Sequence, residues 1–126
     1  MRTEPVFCGK IHVTTIKNGK YIWKDFKTNK KSDEKILEIS QKICPNEYTW
    51  ERQAISQEDG NMFRKVIEKT VGQNLDIPEN AAYSVTYSKV YNPVKKRDTH
   101  SILLFCEERF GKFLGAENRT AVDIYI

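Results

Sequence analysis

Asn18-Gly19 stands between two runs that alternate apolar and polar residues, and no other pair constrains this 126-residue chain as tightly. A two-residue type I′ turn needs positive φ at both central positions, and Asn followed by Gly accepts it most readily. The pair predicts a β-hairpin whose strands cover about 6–16 and 21–26. So short a turn also sets the register, because a slip of one residue would send every side chain to the other face. Lys17 should oppose Lys20, Ile16 Tyr21, Thr14 Trp23, and His12 Asp25. One face then carries His12, Thr14, Ile16, Tyr21, Trp23 and Asp25. The other carries Phe7, Ile11, Val13, Thr15, Ile22, Lys24 and Phe26, and it is the better core face.

Downstream, the apolar period changes. Ser32 is a candidate N-cap, Asp33 and Glu34 suit a first turn, and Ile36, Leu37, Ile39, Ile43 and Cys44 make a helical stripe that Pro45 stops. Residues 47–55 alternate as a strand would, with Tyr48, Trp50, Arg52 and Ala54 on one side. Ser56 and Asp59 have capping-box spacing. They open a second helix with the stripe Met62, Phe63, Val66, Ile67, Val71 and Leu75, which Gly72 can end. Tyr83, Val85, Tyr87 and Tyr91 alternate with hydroxyl residues. A loop at 92–98, a central strand at 101–106, an irregular or short helical piece at 110–118 and a last strand with Val122, Ile124 and Ile126 complete the chain. The order ββ-α-β-α-ββ-β predicts a single α+β domain over residues 1–126. One mainly antiparallel sheet should carry two helices packed on one face.

Composition narrows the class. The chain is 39% hydrophobic and carries 14 aromatic residues, more core material than disordered chains have. The longest apolar run, Ile102 to Cys106, is strand-sized, and no signal-type stretch follows the N-terminus. A cytoplasmic location and no membrane contact are expected. Three cysteines (Cys8, Cys44, Cys106) make no disulfide framework. The net charge of +4 is uneven: residues 1–31 hold eight Lys/Arg against two acids. Such a basic quarter attracts anions, or simply keeps a surface solvated.

Local signals for catalysis are weak. Two histidines and scattered glycines form neither a metal-ligand cluster nor a phosphate-cradling loop, so no cofactor or metal is expected. His12-Val13-Thr14 has the His-x-Thr form of two-histidine phosphoesterases, but His100-Ser101-Ile102 lacks the hydroxyl at its third position. An enzyme acting on phosphodiesters through His12 and Thr14 is therefore a remote alternative, one that needs both histidines in one cleft.

Binding signals are stronger. Tyr21 and Trp23 lie among Lys10, Lys17, Lys20, Lys24 and Lys27, and Lys95-Lys96-Arg97 forms a second basic site. Bases stack on aromatic faces and lysines neutralise phosphates, so the pattern points to a non-enzymatic nucleic-acid binder, single strands favoured. The competing reading buries Tyr21 and Trp23 as core. The alternative function is a protein-binding inhibitor, antagonist or complex subunit, of viral or phage origin. It would dock an acidic protein partner, or a second copy, through the aromatic face or an edge strand such as 120–126.

Overall fold

The computed structural model describes residues 9–44, 52–75, 77, 81–108 and 119–126. Lys10–Lys17 (β1) and Lys20–Lys27 (β2) form the N-terminal hairpin, with Asn18 at φ 52° and Gly19 at φ 76°. Its four expected pairs, from Lys17 opposite Lys20 to His12 opposite Asp25, all occur. The chain continues through Lys30–Ile43 (α1), Gln53–Ile55 (β3), Gln57–Val71 (α2), Ala81–Asn92 (β4), Arg97–Glu108 (β5) and Arg119–Tyr125 (β6). Six strands make one sheet in the order β2-β1-β6-β5-β4-β3, with every neighbouring pair antiparallel. The α+β class and the element order agree with the sequence pattern.

The core lies between the helices and one face of this sheet. Ile11, Val13, Val122, Ile124, Ile102, Leu104, Cys106, Tyr83, Val85 and Tyr87 supply the sheet side. These residues share one parity along their strands, as pleating requires. From α1 come Ile36 and Ile39, and from α2 Phe63 and Ile67. Each such side chain contributes about 1.5–3 kcal/mol when fully buried.

Two contacts set how closely the layers approach. Gly60 of α2 faces the Tyr83 ring, and a Cβ there would lie 2.2 Å from ring atoms. The ring cannot swing away without loss, because Tyr83 is buried in β4 and its hydroxyl donates to Asn61 Oδ1 at 2.9 Å. The second contact is Asp33, 3% exposed in the first turn of α1. Its carboxylate accepts hydrogen bonds from the Gly9 N–H at 3.2 Å and from the Thr28 hydroxyl. Gly9 has no room for a side chain either: a Cβ would meet Tyr125 O at 2.6 Å.

Some boundaries differ from the sequence reading. Asn29, not Ser32, caps α1: Asn29 is extended, and its side chain accepts the Ser32 N–H at 2.9 Å. Ser32 is the return arm of this capping box, so Lys30 and Lys31 belong to the helix instead of a loop. Ser56 and Gly72 cap α2 as expected, Gly72 in the left-handed region at φ 76°. The loop at 92–98 shrinks to residues 93–96, because Asn92 Oδ1 accepts the N–H groups of Val94 and Lys95 and closes the turn early. Strand 120–126 is not an edge: β6 runs between β1 and β5, with Thr120, Val122 and Ile124 fully buried. The edges among the described strands are β2 and β3. Tyr48, Trp50, the start of the first strand at 6–8 and the segment 110–118 lie outside the described residues.

Gly60→Ala should therefore destabilise the fold even though Ala is the better helix former by ~1 kcal/mol. Overpacking against an anchored ring should cost about 1–3 kcal/mol, read as a lower urea midpoint at unchanged slope; equal or higher stability would contradict the close contact. Asp33→Ala leaves two buried donors without their acceptor. A loss of about 1–3 kcal/mol is expected in the same assay, and a neutral result would remove Asp33 as a tie between layers.

Candidate functional site

Helices cover one face of the sheet; on the other, called the open face below, the side chains of β2, β1 and β6 are exposed or half-buried, while Ser84 and Ser88 of β4 are buried. Strand pairing arranges its side chains in rows. The first row runs Trp23, Thr14, Ala121, Phe105 and Ser84 across β2, β1, β6, β5 and β4. The second runs Asp25, His12, Asp123, Leu103 and Thr86 along the same strands. The third runs Lys27, Lys10, Tyr125, Ser101 and Ser88. Tyr21 stands outside the first row, opposite Ile16.

The question of Tyr21 and Trp23 is answered by this parity. They are 59% and 58% exposed, with ring centroids 5.7 Å apart and planes tilted by 55°. They face solvent because Ile11 and Val13, on the opposite side of β1, take the core. Tyr125 is 52% exposed two rows away. Phe105 is half-buried beneath the Arg52 guanidinium, which lies 4.2 Å above its ring. Arg52 is held there by Ser84 Oγ at 2.6 Å and by Glu107.

The basic residues do not all share this face. Lys10 and Lys27 do. Lys17, Lys20 and Lys24 have helix-side parity, and Lys24 lines a separate groove with Ile22, Phe26 and Leu75. Their even and odd positions in the hairpin were legible; only the clustering in sequence made them look like one patch. Lys95 and Lys96 sit in the β4–β5 turn, Lys96 at φ 57°, and Arg97 opens β5. Lys10, Lys95 and Arg97 converge on one groove of about 420 Å³ at the end of the open face, beside Tyr125. Sequence reasoning missed Tyr125, Phe105 and Arg52. Tyr125 could have been found, since it alternates with Ile124 and Ile126; the Arg52–Phe105 contact joins strands that no local pattern relates.

Acidic groups interrupt the face. His12 pairs through Nδ1 with Asp25 and lies directly across from Asp123 on β6. Burial raises the Asp123 carboxyl above its ordinary range, and the His12 charge opposes that shift. His100 has the opposite parity and belongs to the helix side, where its Nδ1 lies 2.9 Å from the Tyr87 hydroxyl. The two histidines therefore do not converge, and the phosphodiester-cleaving alternative loses the geometry it needs. Among the described residues, no three His, Cys, Asp or Glu side chains form a metal site, and no helix is long and apolar enough to cross a membrane.

Burial pushes the thiols up, Cys44 to about 11 and Cys106 to about 12, so both stay protonated at neutral pH. In a Cys8→Ser chain, a thiol-specific disulfide reagent should label neither of them while the protein is folded and both once it is denatured. Rapid labelling of the native protein would contradict their burial. In comparisons with protein-family models, curated proteins and solved structures, the chain has no match in any of the three.

Proposed function

We propose that the chain is a small non-enzymatic binding protein that holds single-stranded nucleic acid on the open face of its sheet. The observation that carries this reading is the exposed Tyr21–Trp23 pair on the face of the antiparallel sheet opposite the helices. Exposed rings on a sheet give bases a stacking surface that tolerates any sequence. Lys10 and Lys27 on the same face, with Lys95 and Arg97 at its end, supply the cations that a phosphate backbone displaces counterions to reach. Lys17, Lys20 and Lys24 contribute only long-range attraction from the other side, and Lys96 adds charge at the turn. A duplex is the poorer ligand, because its bases are already stacked and cannot reach the rings.

A second reading has one observation in its favour. Asp25 and Asp123 stand between the aromatic pair and the basic groove, where a continuous phosphate track would prefer neutral groups. A protein partner could match that alternation of charge around an aromatic centre.

Fluorescence anisotropy with labelled single and double strands, at low and near-physiological salt, separates the two. The nucleic-acid reading expects the single strand to bind more tightly, with binding that survives at the higher salt. Trp23→Ala should lose about 1–3 kcal/mol, roughly 5- to 150-fold in affinity. Binding that salt abolishes, and that Trp23→Ala leaves unchanged, would sink it and turn attention to protein partners.

A further inference from the structure

We propose that the groove at the β4–β5 end of the open face is a phosphate subsite. The ligand's identity rests on the nucleic-acid reading above, whereas the groove's preference for a phosphoryl group rests on its own lining.

Three cations reach it from separate places: Lys10 from the start of β1, Lys95 from the turn and Arg97 from the start of β5. No Asp or Glu is among its described lining residues, and the acidic charge that acts on Arg97 is that of Asp33 in α1. Lys10 also stands directly opposite Lys27 on β2. Like charges side by side across a strand pair repel, and an anion bound at Lys10 from the groove side weakens that penalty, although Lys27 itself does not line the groove. The polar lining suits the same ligand. Thr99 spends its hydroxyl on the Val90 carbonyl at 2.9 Å, and Ser101 and the buried Ser88 are the other hydroxyl residues in the lining. Arg97 gives one Nη to the Asp98 carbonyl at 3.2 Å, and a guanidinium is the side chain that pairs with a phosphate in planar, bidentate fashion.

Place in the sheet gives the subsite a second property. Trp23 and Ser101 are three strands and four residues apart, ~14 Å in each direction by strand spacing and rise, or ~20 Å on the diagonal. Stacking and phosphate capture therefore act on different nucleotides of one strand. Tyr125, on the groove's margin, offers a ring to the nucleotide whose phosphate is held.

The phosphate can be a terminal monoester or an internal diester, and one experiment tells them apart. Single strands of about eight nucleotides, within the ~4–16 range of sheet-based sites, carry either a 5′-hydroxyl or a 5′-phosphate. Their affinity is measured against salt for the wild type, Lys10→Ala, Arg97→Ala, Arg97→Lys and the helix-side control Lys24→Ala, with circular dichroism to confirm folding. Lys10→Ala and Arg97→Ala should each lower the slope of log affinity against log salt by about 0.7; Arg97→Lys and Lys24→Ala should leave it near the wild-type value. A gain from the 5′-phosphate that vanishes in Arg97→Ala identifies a terminal phosphate, and equal binding of both strands identifies an internal one. Unchanged slopes in Lys10→Ala and Arg97→Ala, with binding still dependent on Trp23, would overturn the subsite and leave the nucleic-acid reading standing. If no strand binds, pyrophosphate is titrated against the amide resonances of Thr99 and Ser101. Saturable shifts lost in Arg97→Ala keep the subsite without the nucleic acid, and no shifts overturn both.

Discussion

The Asp33 carboxylate holds together parts of the chain that are distant in sequence. It accepts from Gly9 just before β1 and from Thr28 just after β2, while it belongs to the first turn of α1. The end of β6 crosses the same spot, close enough that Gly9 can carry no side chain. Its position near a helix N-terminus is favourable for a negative charge. Through it the hairpin, the central strand and the first helix meet at one point, and α1 is committed to the side of the sheet where Ile11 and Ile36 pack. Gly60 plays the matching part at the other end of the helical layer, letting α2 settle onto Tyr83.

That commitment decides what the rest of the molecule offers. With both helices on one side, the opposite face carries hydroxyl residues on β4 and β5, the His12, Asp25 and Asp123 cluster on β1, β2 and β6, and the rings of Tyr21, Trp23, Phe105 and Tyr125 spread over three strands. Its edges are unattractive to other strands. Strand β2 carries three lysines, Lys20, Lys24 and Lys27, and β3 has three residues, two devices that discourage sheet extension.

Much of this was legible from local chemistry. Asn18-Gly19 specified the register of the hairpin, and with it which residues share a face with Tyr21 and Trp23, because turn geometry and pleating leave no freedom once the turn is known; which face the helices cover was not fixed by the turn. The caps of α2 were legible for the same reason. Asn29 was not, since Asn and Ser are both good caps and only the chain direction entering the helix chooses between them. Strand order escaped the sequence because it depends on which apolar faces fit together, not on any one strand's pattern. So β6 could be read as a strand but not as the third of six, and the groove of Lys10, Lys95 and Arg97 stayed invisible because β6 is what brings β1 next to β5.

Strands β4 and β5 are twelve residues each, whereas β6, their neighbour, has seven and β3 three. Beyond the Ser101–Tyr125 pair and the two bonds between His100 and Ile126, their last rungs lean on no third strand among those described. Val90, Tyr91 and Val94 are exposed there for want of a neighbour. A two-stranded ribbon twists more than a sheet and resists bending less. The tip thus behaves as a cantilever rooted in a stiff slab, and its base is one wall of the basic groove. Widening or narrowing that groove needs only flexure of the ribbon, with the core beneath left at rest.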